Sequence, residues 1–293
     1  MNRPVVVGVD GSPSSLVAAE QAARAAIRWS RPLHLVHGYL HPLGYGVPLN
    51  PYDLGIPAPT EDAQRMLEET ARELADRWPG LAVEVRQVAG GPGATLVEES
   101  RRAELLVVGS RGLGGFAGLL LGSVSQQVAG HGQCPVLVVR PPEQPIPVEG
   151  PVIVGLDGSD PTLGAVRYAA DEAARRDTGL VLLHVRSDDS DREAPDEVEQ
   201  GAAGRVDADE LLARAVATVR AEHPDLPVEQ RTLRAEKPAS ALVQASGEAT
   251  LFVVGSRGRG GFTGLLLGSV SQALVQHSHC PVLVFRPHPD DRS

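Results

Sequence analysis

The chain is predicted to be an α/β protein built as two tandem doubly wound domains, each a five-stranded parallel sheet of order 3-2-1-4-5 flanked by helices. Three observations carry that prediction. The sequence is an internal duplication, each copy alternates apolar strand-like runs with helical patterns, and a glycine-rich loop follows the fourth strand of each copy. Comparing 105–126 with 251–272, only Leu106/Phe252, Leu113/Arg259 and Ala117/Thr263 differ. The duplication reaches further: Val5-Val-Val-Gly-Val-Asp-Gly-Ser12 answers Val152-Ile-Val-Gly-Leu-Asp-Gly-Ser159, and Cys134-Pro-Val-Leu-Val138 answers Cys280-Pro-Val-Leu-Val284.

In the first copy, residues 4–9 form a short apolar run closed by Asp10-Gly-Ser-Pro, which reads as a buried strand. Residues 14–29 carry alanines and larger apolar residues at helical spacing. A second strand at 33–37 is followed by a helix at 60–77, with Thr60 as N-cap and Glu61 and Asp62 in the first turn, where acidic groups favour the helix dipole. The expected order continues with a strand at 82–88, a helix at 93–102, a strand at 104–109, a helix at 123–131 and a strand at 135–139. The second copy repeats the order, with strands at 152–156, 180–184, 228–233, 251–255 and 281–285. Such alternation requires right-handed crossovers and a sheet covered on both faces.

The proline-rich connector 140–149 sets the domains at 1–145 and 151–293, with the boundary near Gly150. The copies differ most after the second strand: 38–59 is rich in proline, glycine and tyrosine, including Tyr39, Tyr45 and Tyr52, whereas 186–204 crowds seven acidic residues from Asp188 to Glu199. Both read as solvated loops.

Composition excludes several functions. A net charge of −10 argues against nucleic acid as a partner, which needs a basic face. Lys237 is the only lysine and lies outside any glycine loop, so a P-loop of the lysine type is excluded. No apolar run reaches the roughly 18 residues needed to span a bilayer, so no membrane association is expected. The two cysteines sit at equivalent positions before a proline, a poor disulfide framework that fits a reducing, cytoplasmic setting.

The chemistry is expected in the glycine loops. Each copy spaces its glycines as Gly-x2-Gly-x9-Gly-Ser, over Gly109, Gly112, Gly122 and Ser123, and over Gly255, Gly258, Gly268 and Ser269. Glycines let backbone N–H groups converge on an anion, and the loop delivers Ser123, Val124 and Ser125 to a helix start, where unpaired N–H groups and the dipole favour phosphate. In an open sheet the ligand crevice lies where connections diverge, here between strands one and four, so Asp10 and Asp157 should face the loops. A carboxylate there suits ribose hydroxyls or a Mg²⁺ that bridges to phosphate.

Strand-Asp-Gly-Ser, Leu-Val-His37, Val-Val-Gly-Ser-Arg-Gly with the spaced glycines, and Cys-Pro-Val-Leu-Val together resemble the universal stress protein family in its tandem, ATP-binding form. The resemblance implies an ATP site in each domain at the β1/β4 crevice. In the first domain it assigns Gly8, Asp10, Gly38, Val108, Gly109, Arg111, Gly112, Gly122, Ser123, Val124 and Ser125, with Ser110, Leu113, Gly114 and Gly115 in the same loop. In the second it assigns Gly155, Asp157, Val185, Val254, Gly255, Arg257, Gly258, Gly268, Ser269, Val270 and Ser271, with Ser256, Arg259, Gly260 and Gly261 in the loop. The backbone at Gly38 and Val185 would meet adenine, and the missing side chain at Gly38 would loosen that pocket. ATP with Mg²⁺ is the implied cofactor, Asp10 and Asp157 being the metal candidates. The family pairs through fifth strands, so an intramolecular pseudo-dimer and further homodimerisation are expected.

Weaker signals have structural readings. His37 and His184 close the second strands and are read as structural groups beside the adenine contact. His131 with Cys134, and His277 and His279 with Cys280, supply too few ligands for a closed zinc site. No general base stands at a recognisable spacing from Ser12, Ser123 or Ser125, so rapid hydrolysis is not expected. The sequence thus points to a nucleotide-dependent stress sensor or regulator read by an unknown protein partner, the alternative being a slow ATPase or phosphotransferase in the same crevice.

Overall fold

A computed structural model of the 293-residue chain describes residues 3–39, 59–113, 121–140, 149–159, 161–186, 208–256 and 267–288. The chain divides into two compact units, Met1–Pro141 with Arg286–Ser293, and Pro142–Phe285.

The first unit runs β1 (Val5–Gly8), α1 (Pro13–Trp29), β2 (Leu33–Tyr39), α2 (Pro59–Arg77), β3 (Val83–Ala89), α3 (Pro92–Glu99), β4 (Leu105–Gly109), α4 (Ser123–His131) and β5 (Val136–Val139). Its strand order is β3-β2-β1-β4-β5, and each paired strand is parallel to its neighbour. The second unit repeats this with β6 (Val152–Leu156), α5 (Pro161–Arg175), β7 (Leu180–Arg186), α6 (Ala208–Glu222), β8 (Val228–Arg234), α7 (Pro238–Ala245), β9 (Leu251–Gly255), α8 (Ser269–His277) and β10 (Val282–Phe285), in the order β8-β7-β6-β9-β10. The expected 3-2-1-4-5 order is therefore present in both halves.

Central strands are apolar on both faces because helices cover both faces. Val5, Val6 and Val7 of β1 and Leu105–Val108 of β4 are buried, while β3 at the rim keeps charged residues at the surface. Helix α1 lies close on the centre through Ala18, Ala19, Ala22, Ala23 and Ala26, all fully buried. It starts at Ser12, whose side chain accepts the Ser15 N–H, with Pro13 in the first turn, and stops at Ser30 in the left-handed region (φ 52°). Asp177 stops α5 in the same way at the matching position (φ 53°).

Two expectations need correction. Helix α2 begins at Pro59, so Thr60 lies in its first turn and is not its N-cap. Proline fits there because its missing N–H has no intrahelical acceptor anyway. Gly38 leaves no loosened pocket: a Cβ there would come 2.7 Å from the backbone Cα of Pro92, so the start of α3 already fills the space. The loops at 40–58 and 187–207, with Tyr45, Tyr52 and the acidic cluster, lie outside the described residues, as does most of the connector, 141–148.

Candidate functional site

The turn between β1 and α1 clips the first residues of the glycine loop. Asp10 Oδ1 accepts the Ser12 N–H at 3.0 Å, and Oδ2 accepts the Leu113 N–H at 3.0 Å across the crevice. Ser12 Oγ donates to the Arg111 carbonyl and the Arg111 N–H donates to Ser14 Oγ, both at 3.4 Å. The strand-end aspartate and the loop after β4 thus face one another, as the topology requires. Burial pushes the Asp10 pKa up, but hydrogen bonds from Ser12, Leu113 and Ser15 outweigh it and hold the carboxyl below its ordinary value.

That shift has a sign. A carboxyl depressed in the folded state adds stability that is present above its unfolded value, about 3.9, and disappears as pH falls through the folded value. Asp10→Asn is therefore expected to remove a part of the first unit's stability that is present at neutral pH and absent in acid. Urea midpoints of the two proteins should differ at neutral pH and converge as pH falls below the ordinary carboxylate range; a difference constant with pH would refute it.

Three of the loop's glycines have different physical reasons. A Cβ on Gly109 would lie 2.7 Å from the Ser14 backbone carbon and oxygen, so this glycine lets β4 meet the first turn of α1. The close approach seen at this glycine is thus to the α1 backbone. A Cβ on Gly112 would strike Asp10 Oδ2, and one on Gly8 would meet Leu96 at 2.6 Å. Gly122 is different: its φ of −74° and ψ of 155° suit any residue, and a Cβ there would find only ordinary contacts at 3.4 to 3.6 Å.

Gly122 is also the N-cap of α4, where serine, threonine or aspartate would normally satisfy the first N–H groups. Gly268 holds the same position before α8, at φ −66° and ψ 155°. Neither helix has a side-chain cap. Both starts are braced alike: Ser125 Oγ donates to the Gly109 carbonyl at 2.6 Å and Ser271 Oγ to the Gly255 carbonyl at 2.7 Å. The Gly122 N–H donates to the Ser110 carbonyl at 2.7 Å, and the Gly268 N–H to Ser256 at 3.0 Å. These two serine hydroxyls are therefore committed to the frame. The Ser110 hydroxyl is fully buried and has no hydrogen-bond partner among the described residues.

The second unit departs at the aspartate. Asp157 Oδ1 accepts the Ser159 N–H at 3.0 Å and the hydroxyls of Ser159 and Thr162, both at 2.7 Å. Pro161 stands where the first copy has Ser14, so no hydroxyl is available there to hold the loop. Arg257, Gly258, Arg259, Gly260 and Gly261 lie outside the described residues, as do Gly114 and Gly115. Ser14, Ser15 and Thr162 were not singled out by sequence; the signal was the Ser12-Pro-Ser-Ser15 run at a helix start.

The histidines do not close their strands, since β2 and β7 each run two residues further, but both are held by backbone. His37 Nδ1 donates to the Val9 carbonyl at 2.7 Å and His184 Nδ1 to Leu156 at 2.8 Å, each just before the aspartate. Cys134 and Cys280 are free and buried; burial pushes both thiols up, that of Cys280 to about 12. Among the described residues no helix is long and apolar enough to cross a membrane.

Parallel strands in the order 3-2-1-4-5 within each unit, with connections that diverge between β1 and β4 and again between β6 and β9, define a tandem of doubly wound α/β units. The model of the universal stress protein family matches residues 1–140 and 150–286, and the chain belongs to that family. It is 38% identical over 290 residues to a universal stress protein of Mycolicibacterium smegmatis, covering 97% of each chain. It is 40% identical over 288 residues to one of Mycobacterium tuberculosis, covering 96% of each. A crystal structure of a universal stress protein from Archaeoglobus fulgidus shares the fold, with a TM-score of 0.72 at 23% identity over 98% of this chain and 99% of that one.

Proposed function

We propose that each unit binds one ATP in the β1/β4-type crevice, with the phosphates on the N–H groups that open α4 and α8, and that the protein acts as a nucleotide-dependent regulator in stress. The observation that carries this reading is the glycine N-cap. At Gly122 neither backbone angle nor packing demands glycine, yet a capping side chain is absent and the first-turn donors are left for an external acceptor. Phosphate is the acceptor such an end favours, through hydrogen bonds and the helix dipole together.

The residues present fit Mg²⁺ in a limited way. Asp10 offers one carboxylate whose two oxygens each accept one N–H, leaving lone pairs for a cation that keeps most of its waters and takes the rest of its shell from phosphate. Such an ion would neutralise phosphate charge beside an acidic protein. Asp10 would then position the glycine loop and meet the ion or ribose at once.

Binding to the folded state alone adds about 2.7 kcal/mol when ATP is held near 100 times its Kd. A thermal scan is thus expected to show a rise of several degrees with ATP, and less with adenosine, which lacks the phosphates. Equal shifts with both ligands, or none, would contradict the phosphate site.

A further inference from the structure

The pair α1 and α2 in the first unit, and α5 and α6 in the second, is pinned by side chains at matching positions, and the two copies use inverted charges. In the first unit Glu20 pairs with Arg24 at 2.9 Å and with Arg77 at 3.2 Å, and Trp78 takes the guanidinium groups of Arg24 and Arg77 over its ring. In the second unit the same positions hold Arg167, Asp171, Glu222 and His223. The match is fixed by backbone: Trp78 N–H donates to Leu74 and His223 N–H to Val219, and each carbonyl accepts from the leucine three residues on, Leu81 or Leu226.

From this exchange we infer that Asp171, Glu222 and His223 form a binding site for a divalent transition metal between α5 and the end of α6 in the second unit. One ligand atom from each lies within 4.8 Å of the others, Asp171 from α5, Glu222 from the last position of α6 and His223 from the residue after it. One imidazole nitrogen and two carboxylate oxygens suit zinc, cobalt or nickel, and suit magnesium poorly. The helix pairing itself does not require this set, because the first unit achieves it with an arginine–aromatic arrangement that ligates nothing.

The local charges are compatible with a cation. His223 Nε2 lies 2.7 Å from Asp171 Oδ1, so a metal would take the place of the proton they share. The nearby guanidinium groups hold the carboxylates loosely, Arg167 at 3.4 Å from Glu222 and Arg175 at 3.8 Å from Asp171. All three ligands are partly exposed, so a metal reaches them without opening the unit and keeps water in its remaining positions. A bound ion would tie the end of α6 to the middle of α5 in this unit alone.

The test is titration calorimetry of the full chain with Zn²⁺, Ni²⁺ and Mg²⁺, for the natural protein, His223→Gln and Asp171→Asn. One site for Zn²⁺ or Ni²⁺ is expected, with Mg²⁺ at least about 100-fold weaker. His223→Gln should weaken Zn²⁺ at least about 10-fold and Asp171→Asn by a similar factor, while the melting temperature without metal stays within a few degrees. Zn²⁺ binding that survives His223→Gln unchanged, or that does not exceed Mg²⁺ binding, overturns the assignment. A variant that melts early is replaced by His223→Trp, which restores the residue of the first unit and should abolish the metal site; retained binding there overturns it equally.

Discussion

Gly122→Asp is expected to abolish ATP binding in the first unit while leaving that unit as stable as before or slightly more so. Aspartate at an N-cap satisfies the N–H groups of the first turn and complements the dipole, a gain of about 0.5–1 kcal/mol over glycine. Its backbone angles are already suitable and its Cβ has room. The same carboxylate would occupy the donors proposed for phosphate and repel the anion, with a loss of at least about 100-fold in affinity. A stability gain joined to a binding loss is the signature of a glycine kept for a ligand. Calorimetry with ATP should show one site per chain in Gly122→Asp where the natural protein shows two, and none when Gly268→Asp is added. Two sites of unchanged affinity in the single variant would refute the assignment.

The largest stability effect is expected at Glu172. This carboxylate is 2% exposed and receives Arg176 through Nε at 3.0 Å and Nη2 at 2.9 Å, a two-pronged pair in the last turns of α5. Removing one partner leaves a largely buried charge uncompensated, at a cost of about 3–5 kcal/mol. Glu172→Ala should therefore lower the urea midpoint of the second unit sharply. Replacing both partners, Glu172→Leu with Arg176→Met, should recover most of the loss, because the apolar pair escapes the desolvation penalty. The first unit has Ala25 and Trp29 at these positions, an apolar solution already present in the chain. A double variant no better than Glu172→Ala would show that the cost is not electrostatic.

The fold was legible because each strand is a short apolar run and each helix a longer periodic one, and because the duplication showed every signal twice. The bounds of β6, β9 and α4 agree with the sequence reading, since each is closed by residues with a clear turn or strand character. Strands β2, β7 and β8 run one or two residues longer than expected and β3 is shifted by one, because ladder partners hold ends that their own residues would not. Thr60 misled because a capping residue after a proline looks like an N-cap, whereas the proline itself opens the helix.

The site was legible in outline and not in its reasons. Spacing located the loop, the aspartate and the helix starts, but it could not tell a glycine kept for a neighbour from one kept for a ligand. Gly109 is needed by Ser14, 95 positions earlier in the chain, and Gly38 by Pro92; only coordinates reveal such pairs. Ser125 likewise spends its hydroxyl on the Gly109 carbonyl, a bond that spacing does not announce. The charge-inverted helix pins escaped notice because their members are 54 or 52 residues apart, as Arg24 and Trp78 or Asp171 and His223, and no motif joins them.

The most direct test is a crystal structure of the natural protein grown with ATP and Mg²⁺. Phosphate oxygens should lie within about 2.7–3.2 Å of the N–H groups of Ser123 to Ser125 and of Ser269 to Ser271, with Asp10 facing the ion or the ribose. Triphosphate bound elsewhere, with both helix starts holding water alone, would contradict the account.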